Sequence, residues 1–425
     1  MRLAPIAAAA CAVALTLAGC DTTSYQDPVV ARPAPNSLDA ATVAVGLNDA
    51  GYDVFRAVAA KEDGDVVLSP ISIGLAFGML DLGASGSVAD ALDGLFRYPV
   101  SGDARWSAFN TLQQETVSDP GPQPTPTSEY DYVPPAPPTV AIENRLFREQ
   151  TYDVVPGYAE SLQKWFGAGI EPADFVGNPD GSRGRINGWV KDETRGLIPD
   201  LLPSGVISSD TRLVLVNALY LKAEWATPFE KSATSDSSFT RLDGSTVTVP
   251  FMRDSSLHVP AVVADGYAAV DLPYASGDLS MLVIVPDAGN YAAIEAELGT
   301  DFVSRVDASL ANQPVDLTLP RFHSESQIGL REVLGGDLGV TGLFYSGGLE
   351  GIGPDIEVAN AIHAASITVD EAGTEAAAAT AIMMDATGMP LEPVRISADR
   401  PFLYVIRDHS TGAVLFVGRV LDPSA

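Results

Sequence analysis

Apolar residues recur at helical spacing in four early stretches, 49–60, 69–82, 87–96 and 103–117, and the pattern predicts four amphipathic helices. After a Pro-rich interruption, 139–147 alternates as a strand does, and 154–165 and 182–193 return to helical spacing. From about residue 211 strands dominate. They are predicted over 213–220, 246–252, 268–272, 279–285, 315–319, 367–369, 402–407 and 414–420. The last two flank Asp408-His409-Ser410-Thr411-Gly412, a polar turn ending in glycine, and should form a buried hairpin. Helices early and strands late, with no βαβ rhythm and no repeat, predict an α+β fold with an antiparallel or mixed sheet system.

The chain's two ends of composition change this picture little. Arg2, the apolar run from Ile6 to Leu17 and the close Leu17-Ala18-Gly19-Cys20 read as an export signal over 1–19, too short to span a bilayer. The Leu-Ala-Gly-Cys close is similar to a bacterial lipobox, in which Cys20 is acylated and becomes the mature N-terminus. An ordinary signal with an accidental cysteine is the alternative. Residues 20–40 then read as an unstructured, lipidated tether, and 41–425 as the folded domain. Ser118 to Pro138 is too rich in proline for helix or sheet interior and reads as a surface insertion, a domain linker being the alternative. The expected place of the chain is outside the cytoplasm, on the cell envelope or released from it, in contact with a bilayer through Cys20.

Charge and residue types narrow the chemistry. Acidic residues outnumber basic ones 55 to 25, a net charge of −30, which repels phosphate backbones and argues against nucleic-acid binding. Cys11 leaves with the signal and Cys20 carries lipid, so the domain has no disulfide and no thiol nucleophile. The four histidines (258, 323, 363, 409) show no metal-ligand spacing. There is no G-x-S-x-G elbow and no phosphate loop. Ser161-Leu162-Gln163-Lys164 fits the S-x-x-K motif of penicillin-binding proteins, but neither S-D-N nor K-T-G follows. An exposed polar helix face explains it more simply.

Residues 369–391, VDEAGTEAAAATAIMMDATGMPL, carry more information. The alanines alone would suit a surface helix. Gly373-Thr374 before them and Gly388 with Pro390 after them punctuate the segment as a long loop instead. Thr374, Ala376, Ala378, Thr380, Ile382 and Met384 form one small or apolar alternate set, while the other begins with Glu375 and ends with Asp385. As a strand, the segment could bury one face and slide between existing strands.

Glu371-Ala372-Gly373-Thr374-Glu375-Ala376-Ala377-Ala378-Ala379-Thr380 resembles the hinge of the reactive loop in inhibitory serpins. The segments LSPISI (68–73), INGWVKDETRGLIPDLL (186–202), LVNALYLKAEWATPF (215–229), DLPYASGDLSMLVIVPD (271–287), LTLPRF (317–322) and ADRPFLYVIRDHSTGAVLFVGRVLDP (398–423) resemble serpin segments in order. The resemblance implies a single domain of three β-sheets and eight or nine helices, with an exposed reactive-centre loop. It implies a protease inhibitor without enzymatic activity or cofactor. A target protease cleaves the loop, and the freed hinge inserts into the main sheet while the acyl-enzyme persists. By the family's counting the reactive bond is Thr387-Gly388, with Met384, Asp385 and Met389 as alternatives. The target would be an elastase-, subtilisin- or chymotrypsin-like serine protease, or a cysteine protease, met by a monomer. Ser69, Ser72, Asn217 and His363 match the polar cluster where the sheet opens. Trp225 matches the tryptophan under the top of the sheet, and Arg321 with Glu371 an ion pair at the loop's base. A serpin-like binding or chaperone protein that does not inhibit is the alternative, though such members carry bulky or charged hinges.

Overall fold

The computed structural model describes residues 30–36, 40–121, 134–275, 277–344, 347–358, 361–375 and 392–424. The helices are α1 (Ala40–Ala59), α2 (Pro70–Asp81), α3 (Gly86–Phe96), α4 (Asp103–Thr116), α5 (Pro156–Phe166), α6 (Pro179–Glu193), α7 (Tyr291–Glu297), α8 (Thr300–Ser309) and the single turn α9 (Leu330–Glu332). The strands are β1 (Val66–Leu68), β2 (Thr139–Glu149), β3 (Gly169–Ala173), β4 (Leu213–Glu224), β5 (Ser235–Thr240), β6 (Thr246–Ala264), β7 (Tyr267–Pro273) and β8 (Leu279–Pro286). They continue with β9 (Ala311–Pro320), β10 (Phe322–Gly329), β11 (Ile362–Val369), β12 (Gly373–Thr374), β13 (Val394–Ser397), β14 (Phe402–Asp408) and β15 (Val414–Val420).

Helix α1 begins at Ala40, well before the 49–60 stretch that periodicity picks out; Val43, Leu47, Val54 and Val58 put one apolar stripe against the core. Helix α2 starts where Ser69 and Pro70 say it should. The Ser69 hydroxyl accepts from Ser72 N, and Pro70 occupies the first turn, where no N–H is needed. Buried nearly all round, α2 runs through the centre of the molecule. Helix α6 is capped the same way, by the Asn178 side chain on Gly181 N with Pro179 behind it.

Six strands form the main sheet, in the order β10-β11-β12-β4-β2-β3. Its two faces are set by residue parity. On β4, Val214 and Val216 join Phe147, Phe175, Ile186 and Val190 in a small core under α6, whereas Leu219, Leu221 and Ala223 face the principal core with Ile142, Leu146 and Phe166. The other strands make a nine-stranded network, β1-β15-β14-β8-β7-β6-β9-β13 with β5 beside β6. The long β6 belongs to both halves of it. It pairs with β5 and β9 first, shifts register between Asp254 and Leu257, and hands over to β7 at Ala261. With the main sheet, these halves are the three sheets expected. The β14–β15 hairpin is buried throughout, its turn held by Asp408, whose carboxylate accepts from Ser410 N and Thr411 Oγ1.

Candidate functional site

The chain leaving β11 turns back at once: Asp370 Oδ1 accepts from Ala372 N at 2.8 Å. Gly373 and Thr374 then lie as β12, opposite Glu224 and Ala223 of β4, with Thr374 also opposite Val369 of β11. The loop's first residues are therefore built into the sheet. Glycine is required at 373, because a Cβ there would sit 2.0 Å from the Ala223 carbonyl oxygen.

Thr374 is 1 % exposed, and its hydroxyl shares a 2.6 Å hydrogen bond with Tyr274 OH. Tyr274 stacks on Trp225, ring centroids 4.5 Å apart and planes 7° from parallel. Trp225 holds the turn from below, its Nε1 donating to the Asp370 carbonyl at 3.0 Å and its backbone N–H to the Ala372 carbonyl at 2.9 Å. The Tyr274 hydroxyl is pushed up by burial and stays protonated. Sequence reasoning found Trp225 and missed Tyr274. Glu375 points to the other face, where burial raises its carboxyl against the pull of Tyr220, Arg195 and Lys222.

Glu371 is 2 % exposed and accepts from Arg321 Nε at 2.9 Å and from Thr234 Oγ1. Burial alone would raise its carboxyl; the bonds from Arg321 and Thr234, with the Arg321 charge, outweigh that and hold it below the ordinary glutamate range. The pair expected at the loop's base is present, and its carboxylate is buried. Removing Arg321 alone would strand that charge, a larger loss than breaking a surface pair.

Under the middle of the sheet Ser69, Ser72 and His363 meet. His363 Nε2 accepts from Ser69 N at 3.0 Å, which leaves the ring proton on Nδ1. Ser69 Oγ in turn accepts from Ser72 N at 3.3 Å. Asn217 does not join them. Its Nδ2 donates to Asn144 Oδ1 at 2.7 Å, Asn144 Nδ2 donates to the Phe166 carbonyl, and Asn217 Oδ1 is buried without a partner among the described residues. The β2–β4 register sets Asn144 directly opposite Asn217. Among the described residues β4 and β11 are joined only through β12, at Ala223, Glu224 and Val369, and do not pair with each other at Asn217 and His363.

Burial lowers the His363 pKa to about 4. The folded state then binds fewer protons than the unfolded one between about pH 4 and 6.5, so stability is complete above that window and lost as pH falls through it. We expect the melting temperature to drop over this window, by the equivalent of up to about 3 kcal/mol from this group. His363→Gln, which can accept from Ser69 without titrating, should flatten the dependence; an unchanged slope would remove His363 as its source.

Two further segments reach this region. Residues 30–36, expected in the free tether, are docked on α4 and α5, with Arg32 bonded to Asn110, Gln113 and the Trp165 carbonyl. The feet of the Pro-rich insertion lie at the top of the sheet: Ser118 bridges Val140, and Ala136 N donates at 2.7 Å to Glu224, the residue facing Gly373. Cys20, residues 122–133, Ala376, Ala377, Ala378, Ala379, Thr380 and the bond Thr387-Gly388 lie outside the described residues.

Two enzyme-like groupings among the described residues lack catalytic geometry. Lys164 Nζ sits over the Trp165 ring, 4.0 Å from its centroid, as a surface side chain does. Ser280 Oγ is 2.8 Å from His409 Nε2, but Asp271 approaches that same nitrogen at 3.9 Å. A catalytic triad needs the carboxylate on the other ring nitrogen. Among the described residues no group of three His, Cys, Asp or Glu could hold a metal ion.

A six-stranded sheet that takes the chain's own loop hinge as a central strand defines a class of protein, and comparison with known proteins agrees. The sequence profile described as serpin (serine protease inhibitor) matches residues 46–423. A serpin-like protein of Thermococcus kodakarensis is 32 % identical over 381 residues, 89 % of this chain and 85 % of that one. Leukocyte elastase inhibitor A of Rattus norvegicus is 35 % identical over 373 residues, 85 % of this chain and 93 % of the relative. An Arabidopsis serpin solved in its native stressed conformation superposes with a TM-score of 0.76 at 27 % identity, covering 92 % of this chain and 100 % of its own. The chain belongs to the serpin family, whose members are in general protease inhibitors.

Proposed function

We propose that the chain is a suicide-substrate inhibitor of a serine protease, exported and held to a bilayer by acylated Cys20. The observation that carries this reading is β12, two hinge residues hydrogen-bonded between β4 and β11. Its register supports a specific course for insertion. Continued residue by residue on insertion, that register would bring Thr380 opposite both Asn217 and His363, and Met384 opposite Leu213 at the far end of β4. Thr374 faces the core, so Ala376, Ala378, Thr380, Ile382 and Met384 would face it too, and this is the small, apolar set. The Thr380 hydroxyl would meet Asn217 Oδ1, the buried acceptor with no described partner.

The scale is sufficient. Twelve residues from Gly373 to Met384 at about 3.3 Å each span roughly 40 Å, which carries a protease acylated at Thr387 to the opposite end of the sheet. About ten new ladder bonds at about 1 kcal/mol net each supply on the order of 10 kcal/mol. Displacing catalytic groups by about 1 Å can slow a reaction about a hundredfold, so deacylation stalls.

The test is incubation with elastase-, subtilisin- and chymotrypsin-like proteases. A denaturant-resistant complex with a mass-spectrometric cut at Thr387-Gly388 is expected. Clean cleavage without a complex by every protease tried would instead establish the non-inhibitory binding or chaperone reading.

A further inference from the structure

Residues 30–36 occupy a groove made for them. Arg32 Nε donates to Asn110 Oδ1 at 3.0 Å, and its Nη2 donates to Gln113 Oε1 at 3.1 Å and the Trp165 carbonyl at 3.3 Å. Asn110 Nδ2 and Gln114 Nε2 each donate to the Pro33 carbonyl at 3.0 Å, while Asn36 N donates to Thr111 Oγ1 at 2.7 Å and Val30 N to Gln163 Oε1 at 3.1 Å. Asn110 and Thr111 are 0 % exposed and Gln113 4 %. Buried polar groups on one helix face need partners, and this short segment supplies them.

Docking changes the length of the leash. A tether free from Cys20 to Ala40 has twenty residues and reaches about 70 Å at most; fastened at Val30 it has ten and reaches about 35 Å.

We propose that the 30–36 segment is the fastening point of the lipid anchor, clamping the tether so that the α4–α5 flank is held toward the bilayer. The proposal rests on the reading that Cys20 is acylated. Its test uses the full lipidated chain on phosphatidylethanolamine–phosphatidylglycerol vesicles carrying a headgroup acceptor dye. The donor is attached through Val155→Cys, an exposed position at the start of α5. Energy transfer should be strong in this chain and fall when Arg32→Ala is added. A ten-residue Gly-Ser insertion after Gln26 should reproduce the loss without touching the groove, and protease inhibition in detergent should be the same in all three. Equal transfer from all three vesicle-bound forms would overturn the fastening and leave acylation standing. Absence of vesicle binding, or equal binding by Cys20→Ser, would overturn the proposal at its acylation premise instead.

Discussion

On the proposed mechanism, Thr374→Arg should abolish the covalent complex and leave a chain that the target protease cuts and releases. Thr374 is 1 % exposed beneath the top of the main sheet, and its hydroxyl is committed to Tyr274 OH. An arginine there must either bury an unpaired guanidinium between β4 and β11, beside the Trp225–Tyr274 stack, or keep the hinge out of the sheet. Burying such a charge is prohibitive, so the hinge stays out. In the proposed mechanism strand insertion races deacylation, and a chain that cannot begin insertion loses the race. Denaturing gels and the stoichiometry of inhibition measure the outcome. Thr374→Ser, which keeps the hydroxyl and the volume, should inhibit as the parent does, and an arginine variant that still gives full complex would refute insertion through this gate.

Gly373→Ala should be nearly as harmful by a different route. Its Cβ would meet the Ala223 carbonyl oxygen at 2.0 Å and the Glu224 Cα at 2.8 Å, both backbone atoms that no rotamer change can move aside. The strands must separate for the hinge to enter. Even about 1.4 kcal/mol of added barrier on insertion, with deacylation untouched, shifts the partition from trap to substrate about tenfold. Stopped-flow fluorescence of Trp225, which stacks at the gate, should report the slowed step. Unchanged stoichiometry with this variant would mean that β12 forms away from β4 when the loop is cut.

Much of this site is legible in the sequence because it depends on local chemistry. Ser69-Pro70 announces the start of α2, and the glycine-bearing turn between 402 and 420 announces the hairpin. Of the alternating set from Thr374 to Met384 the described residues include Thr374, which is buried in β12. Arg321 and Glu371 form the pair that family resemblance implies. What escapes is set by partners distant in sequence. Tyr274 reads as one aromatic at a strand end until the fold stacks it on Trp225. Strand β10, FHSESQIG, alternates with polar residues because only one face is buried, and Ser324 on that face hides the period. Asn217 is placed correctly in β4, yet the carboxamide it meets, that of Asn144, follows from the register in which β2 pairs with β4. Residues 30–36 have the composition of a tether, and only the carboxamides on α4 and α5 show why they dock.

The central claim is that cutting the loop releases a strand that the intact chain holds back. Calorimetry of the intact chain and of the chain cut at Thr387-Gly388 tests it directly. Ten kcal/mol of new pairing in a domain of this size corresponds to a rise in melting temperature of roughly 12 °C. A cut form melting that far above the intact one is the predicted result. Coincident transitions would contradict the account.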